Sequence, residues 1–223
     1  VVTEQKRGSR PTPSPAGTLK SVAAVISRMD ADSFLDTLEQ SKATQLSRLG
    51  SNNLLVALTD AELETPVVLR VAANSENAAR NTFHEWAESE TDDDAREAFE
   101  HVAVQEDEHY DRVVAELDDP DFEPADGGAM HTYLRGRDDT VERLAAGLVG
   151  RGLVSVRSHT QIISFFVNEA DENRANLFRD LKRETQEEVD LGLELLAELC
   201  EGEDDWERAQ MVAEYVIQLA YDD

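Results

Sequence analysis

Four long stretches of this chain repeat apolar residues at helical spacing, and each repeat is interrupted near its middle by an ionisable side chain. Apolar residues three, four and seven apart line one face of an α-helix, so the interrupting groups share the face that must be buried. From about Thr65 to Ser89 the stripe is Leu69, Ala72, Ala79, Phe83 and Ala87, with Glu76 among them. From about Asp92 to Leu117 it is Phe99, Val102, Val113 and Leu117, and Glu106 and His109 fill the gap. From about Asp139 to Ala170, Leu148, Ser155, Ile162 and Phe166 share a face with His159. From about Asn173 to Cys200, Leu177, Leu181, Leu191 and Leu195 bracket Glu184 and either Glu187 or Glu188. A lone carboxylate in an apolar interior costs several kcal/mol unless it is paired, protonated or bound to a cation. The four faces therefore have to meet.

Turn residues divide the rest of the chain. A short helix over about 33–49 ends at Gly50. Thr65-Pro66 reads as an N-cap followed by proline at the first helical position. Thr91-Asp92-Asp93-Asp94 ends one helix and caps the next. Asp118–Gly128 is the longest irregular stretch and separates two helical hairpins. Gly202-Glu203-Asp204-Asp205 caps a last amphipathic helix with Trp206, Ala209, Ala213, Val216, Ile217 and Ala220 on one face. No period-2 segment of useful length occurs, so the fold class is all-α. Residues 1–28 fall outside this pattern. They carry five basic residues against Glu4 alone, and Ser9–Gly17 holds three prolines in five residues, so we expect a disordered basic tail ahead of a domain over 29–223. The chain opens on Val, and Met29 sits at the change of charge; a translation start at Met29 and a true flexible tail are both consistent with this.

Charge narrows the partners. The 48 acids outweigh 21 Lys+Arg by 27, and residues 29–223 alone carry −31. Only four of the basic residues are lysines (Lys6, Lys20, Lys42, Lys182). Such a surface repels phosphate backbones and anionic membranes, so nucleic-acid and lipid partners are not expected. No apolar run approaches the roughly 18 residues of a membrane span, and the N-terminus lacks an apolar signal core. The acid-rich, lysine-poor composition fits a cytoplasmic protein of a salt-accumulating halophile. The single cysteine, Cys200, excludes an internal disulfide framework and a four-cysteine metal site.

Helices that converge with carboxylates at mid-length can satisfy them together on divalent cations, as in bundles built from a Glu on each of two helices and Glu-x-x-His on each of the others. The i, i+3 spacing places both side chains on one face, and Glu106-Asp107-Glu108-His109 has it. At these residues the chain resembles the rubrerythrin branch of the ferritin-like superfamily. The segment 74–117 is similar to that family's first hairpin, with Glu76 at the bridging glutamate and Glu106/His109 at the first Glu-x-x-His. The resemblance implies a ferritin-like bundle of two hairpins with flanking helices. It implies two irons, or iron with manganese, held by Glu76, Glu106, His109, His159, Glu184 and Glu187. The activity implied is peroxide reduction or ferrous-iron oxidation in oxidative-stress defence. A rubrerythrin with its own rubredoxin domain has four further cysteines, so electrons would come from a separate donor; a homodimer is left open.

The second hairpin departs from that pattern. Aligning Ser158-His159 with Ser75-Glu76 also aligns Phe166 with Phe83, and a five-residue shift then matches Glu184 with Glu106. In that register His159 stands where a glutamate is expected and Glu187 where a histidine is expected. A metal-free scaffold or regulatory domain is the alternative, with Glu76 paired to Arg80 and Glu106 to Arg80 or Arg157. His84, His101 and His131 read as surface or capping residues, and Tyr110 as packing. One prediction follows from charge alone. Dialysis from molar to about 0.1 M salt lengthens the Debye length from about 3 to about 10 Å, and circular dichroism should then show loss of helix or of a cooperative melt.

Overall fold

The computed structural model describes residues 29–125 and 127–222, with backbone only at 52–54. The expected tail over 1–28 lies outside them. Every element among the described residues is helical: α1 (Ala31–Ser41), α2 (Ala43–Leu49), α3 (Asn52–Leu58), α4 (Thr65–Ser89), α5 (Asp93–Val114), α6 (Ala129–Arg135), α7 (Thr140–Arg143), a π-helical segment (Leu144–Arg151), α8 (Gly152–Asn168), α9 (Glu172–Leu199) and α10 (Glu203–Asp222). Among the described residues, no helix is long and apolar enough to cross a membrane.

Aspartates start the helices. Asp30, Asp92, Asp139 and Asp171 each accept a hydrogen bond from the backbone N–H three residues on, satisfying an orphan donor and placing negative charge at the positive end of the helix dipole. The start of α4 differs from expectation by one residue: Glu64 is the N-cap and Thr65 is already helical. The expected helix over 33–49 is broken at Lys42 into α1 and α2, and α3 and α6 were not anticipated.

Two hairpins form the body. The first is α4 with α5; the second runs from α7 through the π segment and α8, then returns as α9. α5 lies against α9, and α10 covers the π segment from outside. The turn between α4 and α5 is tied to the start of α7 by buried Glu90, which accepts from the Thr140 hydroxyl at 2.8 Å and from Arg143 at 3.0 Å. The long connection after α5 is held over α4 by Asn74 and Asn77, which bond both backbone groups of Ala125.

The apolar core comes in two parts. One end holds Phe83, Trp86, Phe99, Val102, Leu144 and Leu148; the other holds Leu69, Ala72, Val113, Ile162, Phe166 and Phe178. Glu76, Glu106, His109 and His159 fall between these two sets along their helices. The π segment brings three helices unusually close. A Cβ on Gly147 would lie 2.4 Å from the Trp86 ring, and one on Gly152 would lie 2.5 Å from Val189. Trp86 cannot retreat, because its ring packs against Phe83 and Phe99 with centroids 5.6 and 5.3 Å away. Gly147→Ala should therefore destabilise by about 1–3 kcal/mol, the usual effect of overpacking. Gly202→Ala, where a Cβ meets open space, should stay within about 0.5 kcal/mol of the parent; chemical denaturation in molar salt compares the two.

Candidate metal centre

Each long helix delivers its inward polar group to one layer. Glu76, Glu106, His109, His159, Arg151 and Glu188 are all at most 4% exposed. Glu76, Glu106 and His109 offer three ligand atoms within 4.8 Å of one another, a buried group that could hold a metal ion. His109 Nδ1 stands 3.5 Å from a Glu106 oxygen and 3.8 Å from a Glu76 oxygen, too far for hydrogen bonds. That nitrogen and Glu106 Oε2 are both buried without a hydrogen-bond partner. Buried polar atoms are rarely left so. Here two of them face each other.

The other ring nitrogen orients the imidazole. His109 Nε2 lies 2.9 Å from Glu184 Oε2, and Arg112 also donates to that oxygen at 3.0 Å. A carboxylate on the far nitrogen of a ligating histidine sets its tautomer and its aim. On the α8 side, His159 Nε2 is 3.2 Å from the second oxygen of Glu76, while its Nδ1 has no partner.

Arg151, the last residue of the π segment, completes the layer. Its guanidinium donates to Glu106 Oε1 at 2.8 Å, to Glu188 Oε2, and through Nε to the Gly147 carbonyl at 3.1 Å. Gln105 donates to the other Glu188 oxygen.

Electrostatics follow from these contacts. Burial raises the pKa of Glu76, but the two imidazoles outweigh it and hold the carboxyl well below the ordinary range. Burial lowers the pKa of His109, yet Glu106 and Glu76 together carry the ring up to about 11. Burial pushes Glu106 up against the pull of Arg151. Glu188 is raised to about 7 by burial and by the Glu106 charge. Glu76, Glu106 and His109 could thus hold a cation, either a proton on His109 or a metal ion.

The structure brings Glu76, Glu106, His109 and His159 together, with Glu184 behind His109. It does not bring Glu187 in: that side chain is 62% exposed and pairs with Arg183 at 2.8 Å. The inward glutamate of that turn is Glu188, because the inner face of α9 runs Leu181, Glu184/Thr185, Glu188 at steps of three and four residues. The ion pairs weighed for a metal-free core are also not those formed. Arg80 stacks on the Tyr110 ring, 3.8 Å from its centroid, and Arg157 reaches Glu39. Arg151 was missed, although it stands four and eight residues before Ser155 and His159 on the same face of the expected helix. His84 is exposed and pairs with Asp107, whereas His131, expected at the surface, is buried beside Thr82.

A cavity of about 310 Å³ opens beside the layer. Glu76, His131 and His159 face it, with Ala72, Val154 and Ile162 among its apolar walls. Comparison with protein-family models, with curated proteins and with solved structures gave no match.

Burial, with the charges of Arg151 and Arg135 beside it, lowers the His131 pKa to about 3, against about 6.5 in the unfolded chain. Between those values the unfolded state binds a proton that the folded state refuses, so this group's contribution falls as pH drops through the window. His131→Gln removes the titration. Its stability deficit against the parent should shrink between pH 7 and pH 4, measured by urea midpoints in molar salt. A pH-independent deficit would show that His131 is not held neutral.

Proposed function

We propose that this protein is a ferritin-like, carboxylate–histidine metalloprotein that binds a divalent transition metal on Glu76, Glu106 and His109, with His159 within reach. The observation that carries the reading is the facing pair of unpartnered buried atoms, Glu106 Oε2 and His109 Nδ1, closed on a third side by Glu76. Mixed carboxylate and imidazole donors suit manganese, iron or zinc. When bound, iron or manganese would supply one-electron redox chemistry toward oxygen species, the activity that the rubrerythrin resemblance implies. The chain's own residues do the rest. Glu184 holds the His109 ring in register, Arg112 holds Glu184, and the cavity beside Glu76 and His159 gives a small molecule access to the layer.

The second reading is a metal-free helical scaffold, and one feature favours it: a proton on His109 between Glu76 and Glu106 also compensates their charge. Metal and proton compete for the same position, because a ligating histidine must be neutral.

Titration calorimetry with Mn²⁺ or Zn²⁺ on protein stripped of metal in molar salt separates the two. Binding is expected, and Glu106→Gln or His109→Ala should abolish it. Glu184→Gln, which removes an orienting contact rather than a ligand, should weaken affinity by about 10–100-fold. Absence of binding by the parent protein would leave the scaffold reading.

A further inference from the structure

A two-metal carboxylate centre needs a second cation about 3.5–4 Å from the first, with a carboxylate bridging them. Glu106 has that bridging posture here. Its Oε2 faces His109 Nδ1, and its Oε1 accepts from Arg151. The α9 carboxylate that points inward, Glu188, lies on the far side of the guanidinium and not against His109. Glu106 and Glu188 thus flank Arg151.

We infer that Arg151 is a tethered second cation: it occupies the place of a second metal ion and limits the site to one. This rests on the metal-binding reading above. Three features make the guanidinium a permanent occupant. It remains charged at any accessible pH. Its contacts are to both carboxylates, the Gly147 carbonyl and the face of Phe83, 4.9 Å from the ring centroid. It is 2% exposed, so no solvated rotamer competes. The π-helical turn serves this placement. The wide turn ends at Arg151; Gly147 within it lets Trp86 approach, and Gly152 just after it lets Val189 approach. Such segments are frequent at functional sites.

Removing the charge while keeping side-chain length leaves two buried carboxylate oxygens, Glu106 Oε1 and Glu188 Oε2, without the donor they share. Two such groups take a divalent cation or a proton. At pH 8, with metal in excess, the cation is expected.

The test is Mn²⁺ stoichiometry and electron paramagnetic resonance on the full chain in molar salt. The parent and Arg151→Lys, which keeps a cation in place, should each bind one Mn²⁺ per chain and give the spectrum of an isolated ion. Arg151→Met should bind two and show an exchange-coupled pair. Two ions or a coupled spectrum in the parent overturns the inference but leaves the metal reading standing, as does a folded Arg151→Met that still binds one. No Mn²⁺ in the parent defeats both. If Arg151→Met does not fold, the parent and Arg151→Lys spectra decide: an isolated ion in both supports the inference, and a coupled pair in either overturns it.

Discussion

Desolvation of carboxylates in a single layer is the constraint that organises this protein. Glu76, Glu106 and Glu188 are each less than 5% exposed, and an unpaired buried carboxylate destabilises by several kcal/mol. Their compensation comes from three directions: Arg151 between Glu106 and Glu188, His159 on Glu76, and His109 facing both Glu76 and Glu106. Each compensating group comes from a different helix from the carboxylate it serves, apart from the Glu106/His109 pair on α5. The layer therefore ties the four long helices to one another through directional contacts. An ion-paired layer is not evidence of high stability, since an apolar replacement of the same shape is often at least as stable. What it supplies is a defined geometry of unlike charges with a gap between His109 Nδ1 and the Glu106 carboxylate.

The apolar parts of the core explain how that geometry is held. On one side of the layer the rings of Phe83, Trp86 and Phe99 pack against the glycine-bearing π turn. On the other, Phe166 stacks on Phe178 and His159 packs against the same ring at 6.0 Å. Rotamers locked from both sides keep the inward glutamates and histidines from relaxing toward water. The cavity meets the layer beside Glu76 and His159, which puts those two residues at its edge on that side.

The exterior follows the opposite rule. Negative charge is dense there and is countered by short local pairs such as Arg96–Asp93, Arg183–Glu187 and Arg208–Asp205. Pairs of this kind contribute between nothing and about 1 kcal/mol each. They do not offset a charge near −31, so screening by salt has to. Inside, where screening does not reach, the structure commits Arg143 and Arg151 to glutamates that have no water to turn to.

The four long helices, their pairing in two hairpins and four members of the layer were legible in the sequence. Period and punctuation are local properties, and Glu76, Glu106, His109 and His159 interrupt stripes that are otherwise apolar. Register at the crowded turns of α9 was not legible. Glu184, Glu187 and Glu188 lie within five residues, and a rotation of 100° per residue separates an exposed Glu187 from a buried Glu188 without changing composition. Nor did the sequence reveal Arg151 as the partner of Glu106. Arg151 lies within the expected helix over about 139–170, but periodicity does not say which way its side chain points; the π-helical geometry, with Trp86 and α10 packed against the segment, turns the guanidinium inward. Sequence alone determined that carboxylates and imidazoles must be buried together, because periodicity leaves those faces nowhere else to go. Which cation answers each carboxylate was decided by tertiary structure, because that depends on distances between helices far apart in the chain.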